Sequence, residues 1–408
     1  MTSTSANTGR YSDLVDHDNG LIDRRVMSDP DIYKKELAQI FARAWVFMCH
    51  ESQIPNAGDF FKSYVGEDQV IIVRAKDQSI QVLLNTCPHR GNSVCRPDSG
   101  NTKAFMCAYH GWSFGLDGRL VGIPASKDLY DNNFDRTKWG LSKAARVESY
   151  GGFVFATLDP AAPAFTDYLG PGGRHMLDTL VGEGNLEIIP GVIKHRVPCN
   201  WKMATENTND YYHVGISHIA AIKVMNLPWE SFSEIPGDVI FGDYGHGADS
   251  AKADGPVGHF NLFPNTVSFA TRYPTLVVRH PKGPLETEMW YFNFVDKTLS
   301  HEEREEVRLL SIRNLGPAGL IEAEDAENWE LSTKASVPLA TQDRPLNYQM
   351  ALGWGEVTTN DDLPYSHLDG GSITNEHYQR WYHRSWGEWM DAASWDDLER
   401  NRTRPENI

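Results

Sequence analysis

The chain has 408 residues, 40% hydrophobic and 23% charged, the composition of a soluble globular protein of two or three domains. Its 38 basic against 55 acidic residues leave a net charge of −17, which excludes nucleic acid and anionic membranes as partners held by the overall field. The five cysteines are sparse and odd in number, the stretch MTSTSANTGRYSDL has no signal-peptide pattern, and no apolar run approaches the roughly 20 residues of a membrane span, so the expected location is a reducing cytoplasm.

Residues 31–48 carry Ile32, Leu37, Ile40, Phe41 and Ala44 at helical spacing, which predicts an amphipathic helix running into a strand. From about 55 to 157 the texture changes to short alternating runs (QVIIVRA, IQVLLN, GRLVGI, GGFVFATL) between Gly, Asp and Asn turns. That pattern predicts an antiparallel β domain. LDPAAPAF at 158–165 reads as a boundary. Beyond it, strand-like runs mix with helical stretches near 201–222, 300–335 and 374–393. The predicted class is α+β, with one domain over 40–157 and a second made of 1–39 and 158–408.

Two short stretches inside the β domain pair a cysteine with a histidine. TCPHRGNSVC holds Cys87 and His89; CAYHGW holds Cys107 and His110. Four such ligands suit either one tetrahedral zinc or a Rieske [2Fe–2S] cluster with two cysteines on one iron and two histidines on the other. The flanking Gly91, Gly111, Tyr109 and Trp112 and the surrounding β pattern favour the cluster, since a zinc finger usually brings a closing helix. Cys49 and Cys95 read as buried thiols.

WKMATENTNDYYHVGISH (201–218) gathers Glu206, Asn207, Asp210, His213 and His218. Histidines five apart on a regular helix point roughly 140° apart, so His213 and His218 reach one metal only if the helix is widened or broken between them, which Gly215 permits. A carboxylate must come from elsewhere. In GPAGLIEAEDAENWE (316–330), Asp325 falls between Ile321 and Trp329 at i,i+4 spacing and is the acid expected to face an apolar interior; Glu322, Glu324, Glu327 and Glu330 are expected in solvent. Two histidines and one carboxylate form the facial triad of non-haem Fe(II) oxygenases.

These motifs resemble the large (alpha) subunits of Rieske non-haem iron aromatic ring-hydroxylating dioxygenases, of the biphenyl, toluene and naphthalene kind. CPHRGNSVC with CAYHGWSFGLDGRLVGIP matches their Rieske domain, and EN-x-x-D-x-x-H-x4-H with GPAG…ED…EN their catalytic domain. The resemblance implies a helix-grip catalytic domain and Cys87, His89, Cys107 and His110 as cluster ligands. It further implies His213, His218 and Asp325 on a mononuclear Fe(II), Asp210 as the carboxylate linking that iron to a neighbouring subunit's cluster, and Asn207 beside the iron. The implied reaction is hydroxylation of an aromatic ring by O2, as a cis-dihydroxylation, with a monooxygenase or demethylase as the alternative. No Rossmann or flavin fingerprint is present, so the chain does not take hydride itself, and the resemblance implies that electrons from NADH arrive through a ferredoxin and/or a reductase. A homotrimer, α3 or α3β3 with small beta subunits, is expected, and Arg90, Arg96, Lys103 and Arg119 are candidates for a basic patch facing the ferredoxin. Asn207, Met225, Phe263, Leu315 and Ile321 are the candidate substrate pocket, with Arg272 or Arg279 as a possible carboxylate anchor, though strand arginines are usually surface residues.

Overall fold

The computed structural model of the chain describes residues 9–130, 134–226, 235–270, 273–360, 363–368 and 372–408. Two compact units result: Phe41–Ala162, and Met1–Ile40 together with Pro163–Ile408.

The unit Phe41–Ala162 is antiparallel β throughout its sheets. Strands Ile80–Leu84, Asp68–Arg74, Asp59–Val65 and Ser99–Asn101 lie side by side in that order. A second sheet joins Leu120–Gly122, Ser113–Phe114 and Phe105–Met106; a third joins Arg146–Tyr150, Phe153–Thr157 and Val46–His50. The run VIIV that reads as strand is buried on both faces at the centre of the first sheet. The core that results, with Phe60, Ile71, Leu83, Phe105 and Phe114, also contains Cys87, Cys107 and Trp112. The two cysteine loops are therefore rooted in packed side chains rather than hung from the surface. Cys49 and Cys95 are buried, and burial pushes the Cys95 thiol up to about 11. Arg90, Arg96, Lys103 and Arg119 are all exposed, Arg119 already paired with Asp117.

The other unit is α+β. A ten-stranded antiparallel sheet runs from Leu186–Ile188 through the long strand Thr287–Asp296 and Thr275–Pro281 to the edge strand Val357–Asn360. Helix His377–Asp391 carries the stripe Tyr378, Trp381, Tyr382 and Trp389, all buried, so the stripe is core. The helix is fastened by its polar atoms: the Trp381 indole donates to the carbonyls of Gly242 and His246, and that of Trp389 to Tyr244. Helix Pro30–Glu36, capped by Asp29 with Pro30 in its first turn, sends Glu36 into the same core. There it accepts from Lys202 and from the indoles of Trp201 and Trp386.

Two expected long helices are interrupted. The 300–335 stretch divides into His301–Asn314 and Glu322–Ala335, because Gly316, at φ +92°, and Pro317 end the first helix. The 201–222 stretch breaks into short helices at Asp210 and His218.

Candidate metal centres

The two cysteine loops have the same backbone. Cys87 N–H donates to the Asn92 carbonyl at 2.9 Å and Gly91 N–H to the Cys87 carbonyl at 2.8 Å. Cys107 N–H donates to Trp112 at 2.8 Å and Gly111 N–H to Cys107 at 2.9 Å. Each ring closes through a glycine in the left-handed region, Gly91 at φ +73° and Gly111 at +71°. The loops agree although the histidine is the second residue after one cysteine and the third after the other. Asn85 pins the end of the first loop, its side-chain oxygen accepting from Val94 and Cys95 at 2.9 Å each.

These turns aim backbone amides at sulfur: His89 and Arg90 donate to Cys87, Tyr109 and His110 to Cys107. Burial pushes the Cys107 thiol up, but the amide of Tyr109, the Cys87 thiol and the amide of His110 outweigh it and hold it low. Burial raises Cys87. The two imidazoles stand together, ring centroids 4.5 Å apart, and His89 stacks on Trp112 at 4.9 Å. His89 Nδ1 is buried without a hydrogen-bond partner, as an atom reserved for a metal would be. Two buried sulfurs and two adjacent imidazoles thus fit an iron–sulfur cluster.

In the second unit the stretch after residue 200 is a chain of short pieces: helix Trp201–Glu206, a single turn at Asn207–Asn209, extended Asp210, helix Val214–Ser217 and helix Ile219–Met225. His213 caps the front of Val214–Ser217, and His218, at φ −97° and ψ 21°, is the joint between the last two helices. The break that lets both histidines face one point is therefore at His218 itself. Gly215 lies inside the short helix and does not supply it.

His213 Nε2 and His218 Nε2 lie 3.3 and 3.2 Å from Asp325 Oδ1. One ligand atom from each of the three residues falls within 4.8 Å of the others. Asp325 Oδ1 makes no hydrogen bond despite those distances, so the three atoms converge on a common point rather than on each other. The far ring nitrogens are held by carboxylates: His213 Nδ1 by Asp210 at 3.1 Å and His218 Nδ1 by Glu324 at 3.0 Å. Such partners fix the tautomer that leaves Nε2 free for a metal. The Asn207 amide nitrogen is 3.3 Å from His213 Nδ1. Burial lowers His213, but the adjacent carboxylates of Asp210 and Asp325 outweigh it and raise it to about 10. Burial likewise opposes the low carboxyl of Asp325, which the two histidines hold down.

Asp325 faces inward beside Trp329 on helix Glu322–Ala335, at the position its spacing predicts. Two of its neighbours depart from expectation. Glu322 is buried, not solvated, and accepts from the Tyr291 hydroxyl at 2.5 Å; burial lifts its carboxyl to about 7, with Arg279 opposing. Glu324 holds His218. The helical pattern alone carries no sign of the strand and loop that bring Tyr291 and His218 to these acids.

A cavity of about 180 Å³ adjoins the triad. Asn207, Met225, Leu315 and Ile321 line it, joined by Ile222, Phe269, Trp329 and Arg279. Phe263 does not. It follows the end of strand Val257–Leu262, turns toward helix His377–Asp391 and packs fully buried against Tyr382 and Trp389, at 5.6 and 5.7 Å. Arg279 is 2% exposed, against the expectation of a surface arginine; Arg272 lies outside the described residues.

A unit with this pair of cysteine–histidine loops, in one chain with a helix-on-sheet unit bearing a His–His–Asp triad, defines a ring-hydroxylating oxygenase. Residues 44–142 match the Rieske [2Fe-2S] domain family, and residues 177–253 and 245–392 the ring hydroxylating alpha subunit catalytic domain. The chain is 35% identical to a biphenyl dioxygenase subunit alpha of Paraburkholderia xenovorans, over 94% of each chain. It is 34% identical to a benzene 1,2-dioxygenase subunit alpha of Pseudomonas putida, over 98% of this chain and 97% of that one. The solved structure of naphthalene 1,2-dioxygenase with indole bound in the active site superposes with a TM-score of 0.87 at 28% identity, over 96% of this chain and 97% of that one. The chain belongs to the alpha subunits of the Rieske-type aromatic ring-hydroxylating dioxygenases. No described helix is long and apolar enough to cross a membrane.

Proposed function

We propose that this subunit adds both atoms of O2 to adjacent carbons of an aromatic ring, giving a cis-dihydrodiol, with two electrons drawn from NADH through a reductase and a ferredoxin and two protons taken up from solvent, the balance being arene, O2, NADH and one proton to cis-dihydrodiol and NAD+. The observation that carries the reading is the convergence of His213, His218 and Asp325 at the wall of an apolar cavity. These three would hold a mononuclear Fe(II), leaving positions open for oxygen, and Cys87, His89, Cys107 and His110 would hold the cluster. Bound there, the two centres would supply single electrons and the spin-allowed route by which triplet O2 meets a closed-shell ring.

The protein's own groups do the rest. Asp210 and Glu324 keep the Nδ1 protons of His213 and His218 in place, so each Nε2 presents its lone pair. Ile222, Met225, Leu315 and Ile321 give the ring an apolar bed and keep bulk water from it. Asp210 also borders a second, more polar cavity with Glu206, Tyr348 and Glu376, a route by which protons reach the triad from solvent. Its partial exposure suits the bridging role toward a neighbouring subunit in a trimeric ring of these chains.

The test is anaerobic purification followed by metal analysis and EPR. Two cluster irons with a Rieske signal on reduction, plus one further iron lost in His213→Ala, is the expected result. Zinc in place of iron, or a cluster with no iron lost in that variant, overturns the assignment.

A further inference from the structure

Burying an arginine is unfavourable unless every donor finds an acceptor. Arg279, on strand Thr275–Pro281, satisfies only part of that demand. Its Nη1 donates to the Ala204 carbonyl, while Nε is buried with no acceptor. The guanidinium lies over the Trp329 ring, 5.2 Å from its centroid, and the Trp329 Nε1–H is also buried without an acceptor. Both side chains line the cavity beside the triad. Glu322 is close enough for its charge and that of Arg279 to act on each other, yet its hydrogen bond comes from the Tyr291 hydroxyl, and Asp325 turns its Oδ1 toward the two histidines. Among the described residues Arg279 forms no salt bridge.

Two side chains of the cavity wall thus each hold a buried orphaned donor, and one of them brings a positive charge beside the apolar groups of Ile222, Met225, Leu315 and Ile321. From this we infer that the substrate is an aromatic ring bearing a carboxylate, held by Arg279 with Trp329 assisting while the ring lies toward the triad. The inference rests on the oxygenase reading above. A guanidinium presents paired N–H groups to the two oxygens of a carboxylate, and a neutral hydrocarbon leaves those donors unpaired. Sites built on buried donors reject analogues that lack the acceptor far better than apolar walls reject a wrong shape. Arg279 is on this account a specificity-determining residue.

The experiment is calorimetric binding of benzoate, benzamide and toluene to the purified holoprotein, repeated with Arg279→Gln and Arg279→Lys. The expected result is benzoate bound at least about tenfold tighter than benzamide, a ratio that falls to about one in Arg279→Gln and is partly kept in Arg279→Lys. No benzoate preference in the wild type, or a preference that survives Arg279→Gln, overturns the inference. Should Arg279→Gln not fold, the wild-type ratio together with Arg279→Lys decides. Product analysis separates the two readings. Oxidation of toluene to a dihydrodiol without benzoate preference sinks the anchor and keeps the dioxygenase. A benzoate preference with no ring oxidised does the reverse.

Discussion

At the scale of single residues, the triad was legible and the acids beside it were not. Asp325 could be picked from five acids because its own helix puts it on an apolar wedge. Glu322 and Glu324 could not, because what buries or engages them, Tyr291 and His218, comes from distant chain. The carboxylates behind the histidines make sharp predictions. Asp210→Ala should weaken iron binding about 10- to 100-fold, measured by competition with a chelator, and unchanged affinity would remove its role in orienting His213. The raised His213 has a sign to it. In the metal-free protein it is charged at neutral pH, so the stability it lends is complete below 6.5 and is lost as pH climbs toward about 10. A metal must displace that proton. Loading Fe(II) at pH 7 should therefore release protons into a weakly buffered solution, and no release would mean that His213 is already neutral. In the other unit, Gly111→Ala should destabilise more than Gly91→Ala. Both positions sit in the left-handed region, worth about 1–2 kcal/mol each. A side chain at 111 also meets Pro124 at 2.7 Å, whereas one at 91 meets nothing within 4 Å. Thermal melts that rank the two the other way would contradict the loop geometry.

At the scale of elements, strands were easier to read than helices. Alternating runs bounded by Gly and Asp turns predict antiparallel strands directly. The stretch near 201–222 reads as helical with one break between His213 and His218, yet Asp210 and His218 divide it into several short pieces. Pieces of four to seven residues have little stability of their own, so tertiary contacts override the pattern. One contact holding helix Trp201–Glu206 is the fully buried pair of Lys202 and Glu36, 2.5 Å apart. Burial lowers Lys202 while Glu36 pulls it back up. Glu36→Gln keeps the shape but leaves the ammonium uncompensated, so a loss of about 3–5 kcal/mol in urea melts is expected. A variant as stable as the wild type would show that this pair is dispensable.

At the scale of the whole molecule, the two metal motifs were plain in the sequence because each pairs rare ligand residues at fixed, short spacing. The cavity was not, since its lining comes from five separate stretches of chain, and Phe263 packs against Tyr382 and Trp389 instead of joining it. The discontinuous unit has a consequence for synthesis on the ribosome. Residues 41–162 are contiguous and can close their sheets as they emerge, whereas Glu36 meets Lys202 only 166 residues later and Trp386 only 350 later. The amino-terminal segment must therefore wait, with an acid destined for burial still in water, until almost the last helix has been translated. Nascent chains halted before that helix should carry a completed iron–sulfur unit joined to an unfinished partner, which makes the docking of helix His377–Asp391 the step that chaperones have to protect.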